Sequence, residues 1–256
     1  MDATTQPDTE DDIAQYAIRL GDDALIHGQR LCEWSSQAPT LEEDLALSNV
    51  ALDLLGRARL LYTYAGEHLN CSEDALAFSR DEPHFQNVLM VELPRGDFAF
   101  TMLRQLFIDL FEIRFFNALT YSQDKQLAAI AAKTLKEVEY HVRRSREWLP
   151  RLALGTPESK RRLQAAADEL WGYINELFEV DALERRLIEQ SIAPDRQNFY
   201  DDWLAEIQHL AIQCQLELPD SPWQVAGGRA GRHTEHFGHL LSELQFLQRA
   251  HPGAQW

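Results

Sequence analysis

Through most of this chain, apolar residues recur at steps of three and four, the spacing that lines one side of a helix. Ile13, Ala17, Leu20, Ala24, His27 and Leu31 form the first such stripe. It predicts a helix from about Asp12 to Gln37, stopping before Ala38-Pro39 because proline disfavours helical backbone in the residue ahead of it. Thr40 is placed to cap a second helix running to about Leu69. Its hydroxyl would accept from an orphan amide while Glu43 reaches back, a capping box. The stretch from Asn70 to Arg95 is less regular, is interrupted by Pro83 and Pro94, and holds at most a short helix near Phe85 to Val91. A third helix, Asp97 to Ser122, carries Phe98, Phe100, Phe107, Phe111, Phe115 and Phe116 around its circumference and is therefore expected at the centre. The fourth runs from Lys125 to Leu154. These long helices reach roughly 40 Å at about 1.5 Å per residue.

Two antiparallel pairs joined by one long crossover make a ferritin-like four-helix bundle, an all-α fold. Shorter helical patterns follow near Glu158 to Phe178, Ala182 to Gln190, Arg196 to Leu218 and Thr234 to Ala250, and are expected to pack round the bundle as additional C-terminal helices. A glycine-rich break, Gly227 to Arg232, precedes the last of them. Strand alternation and internal repeats are absent from the pattern. The organisation predicted is a disordered acidic tail, residues 1–12, and a single ferritin-like helical domain, residues 13–256.

Composition narrows the function classes. At 45% apolar and 25% charged residues the chain is an ordinary globular one. It has no apolar run of membrane-spanning length, and its acidic start is unlike a signal peptide, so a cytoplasmic protein with no membrane partner is expected. A net charge of −17 argues against nucleic acid. The basic clusters at Arg143, Arg144 and Arg146, at Lys160 to Arg162, and at Arg185 and Arg186 are flanked by glutamates at helical pair distances and read as solvated faces. Cys32, Cys71 and Cys214, odd in number and far apart, read as reduced fillers.

A ferritin-like bundle does redox chemistry through inward ligands: one Glu from each of two helices and a Glu-x-x-His from each of the other two. Residues three apart share a helix face, so carboxylate and imidazole can hold one metal. On the fourth helix His141 is present, but Val138 stands where the carboxylate belongs, with Glu137 one place further back. On the second helix Asp53 is followed by Gly56 instead of histidine, and Arg57 offers it a helical ion pair. Asp109 on the third helix interrupts the apolar row Met102, Leu106, Ile113 and Phe116, so it should be buried and need a partner, for which His141 is well placed. Asp23 and His27 fit the same reading. Asp53, Asp109 and His141 are thus degenerate positions of a former metal site, and no catalytic, cofactor-binding or metal-ligating residue is assigned. His233, His236 and His239 with Glu235 and Glu243 invite a zinc site, but steps of three fan side chains apart, which favours capping or an interface. The loop before them, with Arg229 and Arg232, could cradle an anion at a helix start.

Several short segments point further: Arg19-Leu-Gly-Asp-Asp23, Glu43-Asp-Leu-Ala-Leu-Ser-Asn49, Leu52-Asp-Leu-Leu-Gly56, Phe78-Ser-Arg-Asp-Glu82, Tyr140-His141, His233-Thr-Glu-His236 and Pro252-Gly-Ala-Gln-Trp256. In collinear order from about Ile13 onward, they resemble the C-type subunits of bacterial ring-1,2-phenylacetyl-CoA epoxidase, an oxygenase of phenylacetate degradation. The resemblance implies an NADPH-dependent multicomponent monooxygenase in which a separate catalytic subunit, the A type, holds the di-iron centre and a reductase delivers electrons. This chain would then hold no cofactor and serve as a non-catalytic structural subunit, in contact with the A-type chain and with the other oxygenase and reductase subunits. The aromatic excess of the third helix suggests that part of it, Phe115 included, faces the catalytic partner. The alternatives are a chain that is itself a di-iron carboxylate oxygenase and a general helical binding module. A homodimer is the other pairing left open.

Overall fold

Three of the four long helices begin at a side chain that satisfies an orphan amide. A computed structural model describes residues 9–220 and 223–254. Helices α1 (Thr9–Cys32) and α2 (Leu41–Leu69) form one antiparallel pair, and α5 (Phe98–Leu119) and α6 (Lys125–Gly155) the other. Thr40, Asp97 and Asp124 are the N-caps of α2, α5 and α6, accepting from Glu43 N at 3.4 Å, Phe100 N at 2.9 Å and Leu127 N at 2.8 Å. The reciprocal half of the capping box expected at Thr40 is missing, because the Glu43 carboxylate is drawn to Arg144 on α6. The second helix ends at Asn70, whose left-handed backbone (φ 52°) directs its amide to Gly66 O.

Between the pairs lies the crossover, containing α3 (Glu73–Phe78), a 3₁₀ turn (Glu82–His84) and α4 (Leu89–Glu92). Beyond α6, α7 (Pro157–Leu170) packs on α5 and α6, α8 (Ala182–Glu189) on α1, α9 (Tyr200–Cys214) on α5 and α6, and α10 (Phe237–Ala250) on α3. Among the described residues there are no strands, and the fold is the all-α, ferritin-like bundle that the periodicity predicts. Element ends differ by a few residues from the expected ones. The first helix stops at Cys32 and passes into turns, and the segment from Trp171 to Phe178 is 3₁₀ instead of a continuation of α7.

The expected tail needs correction at its inner end. Residues 1–8 lie outside the described residues, but Thr9 to Asp12 are the first turn of α1. Asp12 is buried, and both its oxygens accept from Arg186 of α8 at 2.6 Å. That pairing requires a helix at this point. The other basic clusters are also held by carboxylates. Arg144 binds Glu43, Arg146 binds Glu206, and Arg161 and Arg162 bind Glu158, so only the last pair follows the within-helix spacing expected. All three cysteines are free, as expected; Cys214 is a buried filler, whereas Cys32 and Cys71 are exposed and fill nothing.

The crossover is not a surface loop. Phe85, Asn87, Val88, Leu89, Met90, Val91, Glu92 and Leu93 are all buried, so an irregular backbone passes through the interior and its polar groups need partners there. Buried carboxylates supply them. Asp22 accepts from Gln86 N at 2.8 Å and Tyr62 Oη at 2.5 Å and pairs with Arg80. Asp23 accepts from Val88 N at 2.8 Å and binds Arg229 at 2.6 Å. Glu176 accepts from Leu89 N at 2.6 Å and from Gly227 N and Gly228 N at 2.8 and 2.7 Å. Glu92 takes Asn87 Nδ2 at 2.8 Å, His233 Nδ1 at 2.7 Å and Thr234 N at 2.5 Å. Arg30 and Arg104 donate to the carbonyls of Glu92 and Leu93.

The glycine loop therefore does cradle an anion, but an internal one. Its glycines are required by proximity: a Cβ on Gly228 would lie 2.0 Å from Asn87 O, and Gly231, at φ 70°, would place one 2.2 Å from Pro83 O. Burial pushes the Glu176 carboxyl above its ordinary pKa, with the three amides and Arg229 opposing that rise. Replacing Glu176 with Gln leaves one good acceptor for three buried amides. It is expected to cost about 1–3 kcal/mol, measured by urea denaturation followed through tryptophan fluorescence.

Candidate functional site

Where bundles of this type hold metal, the four long helices turn His27 of α1, Arg57 of α2, Asp109 of α5 and His141 of α6 inward, all of them buried. On α2 the inward row is Val50, Leu54, Arg57 and Leu61. Gly56 is not on it: a Cβ there would meet nothing within 4 Å. The expected Asp53-x-x-Gly56 register is therefore displaced, and the residue reaching the interior is a guanidinium. Arg57 Nη1 donates to Glu112 Oε1 at 2.7 Å, and its Cζ lies 4.7 Å from the centre of the Phe116 ring. Its Nε and Nη2 have no hydrogen-bond partner. The helical ion pair expected between Asp53 and Arg57 does not form, because Glu112 takes the arginine.

Asp53 sits at the rim, partly exposed, with Oδ2 3.0 Å from His141 Nε2. His141 thus pairs with Asp53 instead of Asp109, and its Nδ1 is unpartnered. Asp109 instead accepts from Gln105 Nε2, one turn earlier on α5, at 2.5 Å. Burial raises the Asp109 pKa to about 7, with His141 opposing and Glu112 reinforcing the rise. His27 is driven well below its ordinary pKa, first by burial and then by Arg104 and Arg57. The pocket therefore favours an uncharged His27 and favours the protonated form of Asp109 far more than water does.

These residues do not fit a di-iron centre. The α6 position that should bear a carboxylate holds buried Val138, and Glu137, raised in pKa by burial and by Asp53, is 3.9 Å from Lys133. Among the described residues no three His, Cys, Asp or Glu side chains come together at a spacing that could hold a metal ion. A buried arginine already supplies the positive charge that bridging carboxylates would otherwise require from metal. The contacts of Arg57 with Glu112, Gln105 with Asp109 and His141 with Asp53 plug the interior in part, while His27 Nε2, Asp109 Oδ2 and His141 Nδ1 have no hydrogen-bond partner.

The remaining candidates lie elsewhere. Asp23 faces Arg229 and the crossover, not the bundle interior. His233 is buried between Glu92 and Phe85 O; burial works against its charged form, yet the Glu92 carboxylate outweighs that and leaves its pKa raised. His236 approaches Glu235 at 4.0 Å, so the three histidines do not converge. The third helix is covered by the chain itself. Phe107 meets Trp171 and Trp203 edge-on, Phe111 stacks on Phe115 and meets Phe178 edge-on, and Phe115 is buried within the chain, not on the surface expected to face a partner. Arg57 was the central residue missed. The available signal was a basic residue in an otherwise apolar row, the same signal that marked Asp109. No helix among the described residues is long and apolar enough to cross a membrane.

Over residues 1–256 the chain matches the family described as "Phenylacetic acid catabolic protein". A relative from Escherichia coli (strain K12), named as the C subunit of 1,2-phenylacetyl-CoA epoxidase, is 46% identical over 245 residues, covering 95% of this chain and 99% of the relative.

Two outcomes test the plug. Arg57→Met leaves Glu112 charged and unpaired and should cost about 3–5 kcal/mol, with much of the loss recovered in Arg57→Met/Glu112→Leu. For Asp109, a folded pKa of about 7 against an ordinary 3.8 means that its contribution is full below about pH 4 and is lost as pH rises through 7. Wild type should therefore lose stability relative to Asp109→Asn between pH 5 and pH 8 in parallel denaturation curves.

Proposed function

The chain belongs to the phenylacetic acid catabolic protein family, and from that premise we propose that it is the C-type subunit of a phenylacetyl-CoA epoxidase, a non-catalytic partner of a separate di-iron subunit. Iron, substrate and the electrons drawn from NADPH by a reductase are handled by other subunits in this cytoplasmic complex. This chain supplies a rigid ferritin-like body on which the catalytic subunit is supported.

The observation that carries the reading is Arg57. A guanidinium held by Glu112 at 2.7 Å stands in the interior where the fold would bind metal, and a fixed cation there repels a second one. Of the histidines and carboxylates around it, His141 is paired with Asp53 at the rim and Asp109 with Gln105. The relative's name agrees in kind, since it denotes one subunit of an epoxidase.

Coexpression with the family's di-iron subunit, followed by size-exclusion chromatography and metal analysis, is the test. The two chains should co-elute with about two irons per pair. This chain alone, reconstituted with ferrous iron, should retain none and consume no oxygen with a reductase. Stoichiometric iron and oxygen uptake in the isolated chain would instead make it an oxygenase. A stable monomer with no affinity for the di-iron subunit would make it a general binding module.

A further inference from the structure

Leu41, Leu45 and Leu52 are 72%, 57% and 64% exposed, unusual for three leucines on one helix. They do not scatter. With Ser48 and Leu55 they fall at successive steps of four and three along the outer side of α2, the repeat of a coiled-coil seam. Asn49 and Gly56 border the seam and leave room for close approach, Gly56 having no neighbour within 4 Å of a Cβ. Beyond Leu55 the seam opens into a cleft of about 460 Å³ lined by Leu25, Leu55, Ala58, Tyr62, Ala77 and Phe78, sized to receive a large side chain.

Elsewhere the bundle is flanked by its own chain, α1 by α4 and α8 and α5 by α7 and α9, while α6 meets α7 and α9 on one side and keeps a polar exposed face. Outside the bundle, α2 packs mainly against the six-residue α3, so its outer side is left for another molecule. The border of the seam is acidic. Glu42 and Asp44 flank its first leucines, Asp53 lies beside Leu52, and Glu73 and Asp74 line the cleft; Arg59 is held by Glu73 at 2.8 Å, and Arg143, Arg144 and Arg151 of α6 share a pocket with Glu42 and Glu43 on the far side.

Resting on the reading that this chain partners a di-iron subunit, we infer that the outer seam of α2 docks an amphipathic helix of that subunit whose apolar stripe is bordered by lysine or arginine. A second copy of this chain fits less well. It would bring a net charge of −17 and another acidic border to the contact.

The test uses the full chain and its di-iron partner. The double variant Leu45→Glu/Leu52→Glu alters two exposed positions, so its thermal unfolding should match wild type, while its affinity for the partner should fall by at least about 30-fold. Glu42→Lys/Asp44→Lys should weaken the complex and flatten its salt dependence. Hydroxyl-radical footprinting of the unmodified complex, which needs no variant to fold, should show Leu41, Leu45 and Leu52 protected on assembly. If wild type binds the partner and the leucines stay reactive, or the folded double variant binds equally well, the seam is not the docking site. If the double variant loses only self-association of the isolated chain, a second copy occupies the seam and the inference is overturned. If wild type does not bind the partner at all, the functional reading fails first and the inference with it.

Discussion

A polypeptide that threads an irregular segment through its own interior must find partners for amides and carbonyls that no helix satisfies. In this protein the segment is the crossover from Phe85 to Leu93, and the partners are carboxylates and guanidinium groups from distant parts of the chain. Asp22 and Asp23 reach it from α1, Glu176 from the turns after α7, and Arg30 and Arg104 from α1 and α5. Glu92, within the segment, reaches outward to His233 and Thr234. One set of buried charges thus ties the first helix, the crossover and the glycine loop before α10 into a common arrangement. Each member is held by several others, so removing one leaves a buried group unpaired.

The same economy of buried charge explains the bundle interior. A cavity shaped by four helices cannot hold Asp109, Glu112 and two histidines without a compensating cation or proton. Arg57 provides the cation, and the raised pKa of Asp109 shows where a proton completes the balance. The architecture familiar from metal-binding bundles rests here on helix packing, on the crossover network and on the buried pair of Arg57 and Glu112 at its centre. Chemistry at the centre is dispensable to such a frame.

The surface carries a different pattern. The C-terminal helices wrap α1, α5 and α6, and the aromatic residues of α5 that looked available for a partner are consumed by Trp171, Phe178 and Trp203. The apolar surface left over lies in part on α2, where acidic side chains border exposed leucines. An exposed apolar face of this kind is one that association with another molecule would bury.

The sequence by itself determined the long helices and their order, since periodicity, caps at Thr40, Asp97 and Asp124, and proline placement are local properties read within a few residues. It also marked Asp109 as buried and the two metal motifs as broken. Residues that had looked like candidate chemistry, Asp23 and His233 among them, proved to be nodes of the crossover network, and their short motifs carried no mark of that. Only the tertiary structure decided which side chain each charge would meet: Arg57 with Glu112 instead of Asp53, His141 with Asp53 instead of Asp109, Glu43 with Arg144 instead of its own cap. Those choices depend on the rotation and offset of neighbouring helices, and a shift of one residue turns a side chain by about 100°. A linear pattern does not contain that angle.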